Sequence, residues 1–118
     1  MSRLFEKSKI FALHSVSLYK ALISRSEYVL SKQFLRSSTA VGANIAESNY
    51  AQSRADFVSK QSIALKEAAE SAYWLDLLHD ADYITHDEYT SASSECTELI
   101  RMLTASVKTA KSNLHSTQ

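Results

Sequence analysis

LSKQFLRSSTAVGANIAES, residues 30–48, is the stretch whose reading decides the fold of this chain. Its large apolar residues fall at Leu30, Phe34, Val41 and Ile45, and Ser38 completes a 4-4-3-4 spacing along one helix face. The positions between them are mostly small: Ser37, Thr39, Ala40, Gly42, Ala43 and Ala46. A helix this slim lets its neighbours approach closely, so it reads as the central staff of a helical bundle. Gly42 is the only glycine of the chain. An interior glycine costs about 1 kcal/mol against alanine, so Gly42 is read as marking a close helix crossing rather than a terminus.

Composition supports an all-α reading. The 118 residues include no proline and one glycine, which leaves almost none of the punctuation that hairpins and sandwiches need. The length suits one domain, 1–118, that buries roughly two thirds of the surface its unfolded form exposes. The single cysteine, Cys96, excludes an internal disulfide framework and suits a reducing cytoplasm. Arg3, Glu6, Lys7 and Lys9 interrupt any early apolar run, so no signal peptide is expected. No apolar run approaches the length of a membrane span. A cytoplasmic location is the expectation.

Outward from the central stretch, four helices are predicted, over residues 4–24, 27–48, 54–79 and 86–112. In the first, with Ser2 as cap, Leu4, Phe5, Phe11, Ala12, Val16, Leu18, Tyr19, Leu22 and Ile23 fill an apolar arc of roughly 160°. That arc is wide for one side of a small core, and part of it is expected to meet a neighbour or another subunit. The second helix begins near Glu27, whose carboxylate suits a positive helix start. In the third, Ser53 reads as the cap with Asp56 as partner. Phe57, Ala64, Ala68, Ala72, Leu75 and Leu78 make its core face. A second stripe of Ile63, Trp74 and Leu77 is interleaved with Glu67 and Glu70, too polar for a core and too apolar to be left wholly in water. Thr85 with Glu88 forms a capping box for the fourth helix, where Tyr89, Ala92, Cys96, Leu99, Leu103, Val107 and Ala110 keep a 3-4-3-4-4-3 rhythm. Residues 113–118 are expected to fray. Short links between long helices imply an antiparallel up-down-up-down four-helix bundle.

FLRSSTAVGANIAES, followed by DFVSKQSIALKEAAESAYWLDLL, resembles the bacterial four helix bundle proteins, also called 23S rRNA intervening-sequence proteins or the S23 family. The resemblance runs from Phe5 to Lys111, and is specific in residues 42–47 and 63–78. It implies a left-handed antiparallel bundle, assembly into ring-like homopentamers and no known enzymatic activity. The family is similar in fold to the accessory subunits of diversity-generating retroelements, which implies RNA or DNA binding.

The residues themselves offer little chemistry. Ser17-Leu-Tyr-Lys20 matches S-x-x-K, but its S-D-N and K-T-G partners are missing. Glu67-x-x-Glu70 and Glu95-x-x-Glu98 lack the histidines of a ferritin-like di-metal site and read as bridge-forming or solvated faces. His79 and His86 flank a turn rich in Asp80, Asp82 and Asp87, the setting of solvated histidines; Cys96 sits at a core position, as a small hydrophobe. Gly42 belongs to no phosphate loop. No catalytic residue, metal or cofactor is assigned, and the chain reads as a non-enzymatic protein.

Charge is segregated. Residues 1–60 hold nine Lys or Arg against four Asp or Glu, and residues 61–118 the reverse. In an antiparallel bundle one end collects Arg3, Lys7, Lys9, Arg54, Lys60, Lys108 and Lys111 against Glu6, Glu47 and Asp56, a net of +4. The other collects Asp76, Asp80, Asp82, Asp87, Glu88 and Glu27 against Lys20, Arg25 and Lys32, a net of −3. Arg54, Lys60, Lys108 and Lys111 are the candidate nucleic-acid contacts. Ile63, Trp74, Leu77 and Glu47 are the candidate oligomer contacts, with Arg36 or Arg54 as partner for Glu47; Asn44 is expected to bond neighbouring helices or cap the second. The alternative function is a structural or adaptor oligomer that binds a protein partner.

Overall fold

A computed structural model describes residues 2–116, folded as four helices: α1 Arg3–Ser24, α2 Leu30–Ser48, α3 Arg54–Asp80 and α4 His86–Ser116. Each packs on its sequence neighbour and α1 closes on α4, while diagonal pairs do not meet. That is the up-down-up-down four-helix bundle, 53 × 22 × 20 Å along its principal axes. No described residue is in a strand.

The expected caps form. Ser2 Oγ accepts from the Phe5 N–H at 3.1 Å, and Ser53 Oγ from Asp56 N–H at 3.0 Å. Thr85 and Glu88 satisfy each other's N–H groups at 2.8 and 3.1 Å, the reciprocal capping box that starts α4. The two turns at this end are closed without glycine. Ser26 and Asp82 each take φ 65°, the left-handed region. Glu27 N–H then donates to Leu22 and Tyr83 N–H to Leu78, each at 2.9 Å, which completes a Schellman closure after α1 and after α3.

Ser26 also corrects the start of the second helix. The chain leaves the turn at Glu27 and becomes helical only at Leu30. The Glu27 carboxylate instead caps α2 from outside, accepting from the N–H groups of Val29, Leu30 and Ser31 at 2.7–3.0 Å. Burial by itself would raise this acid's pKa; the backbone donors outweigh burial and hold it below its ordinary value. A second correction falls at the tail: α4 continues to Ser116, because no Gly or Pro breaks it and Arg54 binds the Asn113 carbonyl at 3.1 Å. Thr117 and Gln118 lie outside the described residues.

The core joins Phe11, Leu18 and Leu22 of α1, Phe34, Val41 and Ile45 of α2, Ala64, Ala68, Leu75 and Leu78 of α3, and Cys96, Leu99 and Leu103 of α4. Full burial of a side chain such as Phe34 stabilises by about 1.5–3 kcal/mol. Serines fill the remaining inward positions. Ser8, Ser31, Ser37, Ser38, Ser48 and Ser71 are buried, and each hydroxyl donates to a carbonyl three or four residues back, so it enters the core already satisfied. Small satisfied residues let the axes approach. At the α1–α2 crossing a Cβ built on Gly42 would lie 3.2 Å from Ser8 Oγ.

Candidate nucleic-acid interface

The position of the basic residues follows from helix lengths. Gly42 faces Ser8, so α2 reaches its end at Ser48 level with the start of α1. At that height Gln61, buried in α3, donates from Nε2 to Ser48 Oγ at 3.2 Å and accepts from Ser106 Oγ of α4. Residues 54–60 and 107–116 run on past this clasp, by about 10–15 Å at 1.5 Å per residue. The end of the bundle is therefore a two-helix overhang, and Arg54, Lys60, Lys108 and Lys111 are all on it.

Within the overhang the four residues part company. Arg54 crosses to α4 and donates to the Asn113 carbonyl. Lys60 turns back toward α2, with its Nζ 3.8 Å from Glu47. Lys108 and Lys111 are exposed on α4, and neither makes an ion pair among the described residues. Within the chain the cation beside Glu47 is therefore Lys60. Asn44 bonds within its own helix, to the Ala40 carbonyl at 2.9 Å.

Arg36 is engaged elsewhere. Its guanidinium reaches Glu67 at 2.7 Å and Glu70 at 2.5 Å, across the α2–α3 seam. The hydrogen bonds to Glu67 and then Glu70 raise the guanidinium's pKa. Glu70 also accepts from Trp74 Nε1 at 2.9 Å, and that bond, followed by Arg36, lowers its own pKa. Trp74 is therefore half-buried and held by its own chain, packed against the core cluster. The expected apolar stripe on α3 is mixed: Ile63 is exposed, Leu77 is half-buried, and the exposed aromatic is Tyr73, edge-on to Trp74 at 5.1 Å. Ile10 and Leu13 of α1, outside the expected arc, are exposed at 48% and 59%.

The carboxylates considered for metals are engaged by cationic or imidazole side chains. Arg36 holds Glu67 and Glu70, Lys7 holds Glu98 at 2.8 Å, and His14 Nδ1 meets Glu95 at 2.7 Å. No group of three metal-ligating side chains forms among the described residues. His79 stacks on Tyr89 at 4.3 Å, and the Tyr89 hydroxyl donates to Asp76 at 2.6 Å, which raises the phenol's pKa. Burial pushes the Cys96 thiol up to about 12, and Sγ donates to the Ala68 carbonyl. At the acidic end, Arg25 binds Glu88 in a fork at 2.9 Å for both bonds, and this pairing takes the Glu88 carboxyl down to about 2. No helix of the described residues is long and apolar enough to cross a membrane.

The sequence model of the family described as 23S rRNA-intervening sequence protein matches residues 2–105. This chain belongs to that family. The intervening-sequence match includes Arg54 and Lys60 but ends before Lys108 and Lys111. The chain is also 49% identical to a protein of unknown function from the S23 ribosomal protein family of Bacteroides thetaiotaomicron VPI-5482, whose crystal structure was solved at 1.70 Å. The likeness covers 89% of this chain and 98% of that one, with a TM-score of 0.88. No curated protein matches this intervening-sequence family member.

Proposed function

We propose that the chain is a non-enzymatic, cytoplasmic oligomer, a ring of five copies, that binds RNA or DNA through its basic overhang. The observation that carries the reading is the protruding pair of helix ends with Arg54, Lys108 and Lys111 lacking carboxylate partners among the described residues. A ring stacks like ends together, so each chain's excess adds to one positive rim while the other rim turns acidic. Affinity comes from Lys and Arg contacts to phosphate, with backbone and shape rather than base edges recognised. Exposed Ile10 and Leu13, one turn apart on α1, support assembly, as do Ile63 and Tyr73 on the diagonal helix α3, since they offer apolar surface on two separate helices.

Fluorescence anisotropy with a structured RNA and a duplex DNA tests the reading. Four phosphate contacts from one chain give a log–log salt slope of about −3.6 on duplex DNA, and each further chain of the ring that engages steepens it by about the same amount. Changing Arg54, Lys60, Lys108 and Lys111 together to glutamine abolishes binding and leaves the mass by light scattering unchanged. Binding that survives those substitutions refutes the overhang; a parent that binds nothing at low salt removes nucleic acid and leaves the structural or adaptor oligomer. A monomer mass at micromolar concentration refutes the ring.

A further inference from the structure

The two turns at the end opposite the overhang are joined. Arg25, after α1, donates to the Tyr83 carbonyl at 2.9 Å and forks onto Glu88 at the start of α4. Buried Ile84 anchors the second turn from beneath. Tight turns ordinarily show water polar residues. These two turns show it Tyr28, Val29 and Tyr83, with Val29 71% exposed. Large apolar side chains held out on two joined turns mark an interaction surface.

The same end is acidic. Asp82 and Asp87 are exposed and make no ion pair among the described residues, and Asp80 meets the imidazole of its neighbour His79 at 3.3 Å. Glu88 is neutralised by Arg25, and Glu27 is turned onto backbone N–H groups. With Lys20, Arg25 and Lys32 counted, the end carries a net of −3. Its occupant is therefore basic and partly apolar.

That complement is on the chain itself. The chain is neutral as a whole, with 13 basic and 13 acidic residues, and the far end carries a net of +4. There Lys108 and Lys111 are exposed without an ion pair among the described residues, and Tyr50 in the α2–α3 link is 87% exposed. The basic end is also the one that protrudes. Like ends repel each other, so an end-on contact joins unlike ends; it is heterologous and propagates instead of closing.

We propose that the acidic end receives the basic overhang of a second copy, so that copies stack head to tail. Lys108 and Lys111 of one copy meet Asp80, Asp82 and Asp87 of the next, while Tyr50 and the lysine stems cover Tyr28, Val29 and Tyr83. Stacking shares the overhang with the proposed nucleic-acid binding but rests on its charge and shape alone. The two compete for one surface, and a polyanion disperses the stacks.

Sedimentation velocity of the nucleic-acid-free full chain, over a range of concentrations, tests the contact. At low salt the average mass climbs with concentration without a plateau. At about 1 M salt, where the screening length is about 3 Å, the climb disappears, and the mass of the closed oligomer is read there. Asp80→Asn with Asp82→Asn and Asp87→Asn abolishes the climb and leaves polyanion anisotropy intact; asparagine keeps the left-handed turn at position 82. Tyr28→Ser with Val29→Ser weakens stacking about tenfold. Lys108→Glu with Lys111→Glu abolishes it, and adding Asp80→Lys with Asp87→Lys to that chain restores it, because both ends are then reversed. If the asparagine variant folds poorly, the reversal and its repair decide. A constant mass at low salt overturns the proposal and leaves the acidic end to another basic partner. So does a climb that survives the asparagine variant or 1 M salt, or a doubly reversed chain that stays dispersed. A parent that stacks but binds no polyanion loses the nucleic-acid reading and keeps this one.

Discussion

Gly42→Ala sets a propensity gain against a packing cost at one crossing. Alanine gains about 1 kcal/mol of helix propensity over glycine. Its Cβ, however, lands 3.2 Å from Ser8 Oγ, 3.6 Å from Ser8 Cβ and 3.7 Å from the Ser8 carbonyl. Ser8 is fully buried and its hydroxyl is tied to the Phe5 carbonyl at 2.7 Å, so retreat breaks that bond. Overpacking costs about 1–3 kcal/mol, at the low end for one methyl against one atom, which leaves Gly42→Ala within about 0.5 kcal/mol of the parent. Ser8→Ala removes the atom that makes the tight contact, and the remaining Cβ pair at 3.6 Å is ordinary. The double variant therefore recovers the propensity, with a favourable coupling of about 1 kcal/mol. Urea unfolding at one protein concentration, with unchanged m-values, measures the cycle. Additivity within about 0.3 kcal/mol would refute the crossing. Gly42→Leu, with more volume at the same place, costs about 1–3 kcal/mol, and a melting temperature equal to the parent's would say the site is open.

Glu88 titrates at about 2 in the folded chain against an ordinary 4.5, so its contribution is complete above pH 4.5 and is lost as pH falls toward 2. The full shift is discounted because Glu88 and Arg25 side chains are 28% and 38% exposed, which leaves about 1–2 kcal/mol. Glu88→Gln costs that much at pH 7 and flattens the acid limb of stability measured by urea titration; an unaltered slope counts against the pairing. Arg36→Met leaves Glu67, 8% exposed, without its cation and costs about 1–3 kcal/mol by thermal melting. Restoring the parent's stability by adding Glu67→Gln is the expected rescue, and its absence would mean Arg36 acts by packing alone.

Much of the fold was legible because several signals agreed at each helix end. Ser2, Ser53 and the Thr85–Glu88 box start the helices they were expected to start, and α4's apolar rhythm falls on Cys96, Leu99, Leu103 and Val107, all buried. The errors arose where a polar residue took an apolar position. With Ser8 and Ser15 counted as core, α1 reads 8-11-15-18-22, a regular inward seam; reading only apolar letters gave a wider arc and left Ile10 and Leu13 unnoticed. The start of α2 was misplaced because Ser26 and Glu27 do the work usually done by glycine and a small cap. Glu67 and Glu70 were read as bridge-forming or solvated, and both do bridge; that the cation is Arg36 is announced by nothing local, since it stands thirty-one residues from Glu67.

The overhang has a consequence for local dynamics. Inside the bundle every helix is flanked by two others, so opening a turn there disrupts two seams at once. Beyond the Gln61 clasp, residues 54–60 and 107–116 lack two flanking helices; Arg54 donates to the Asn113 carbonyl across the pair, and Lys60 reaches back to Glu47 of α2. Their amides open at lower free energy than those around Leu99, and exchange hydrogen sooner. On the binding mode proposed above, a polyanion that clamped both prongs would order them, and the entropy of that ordering would be subtracted from the phosphate contacts.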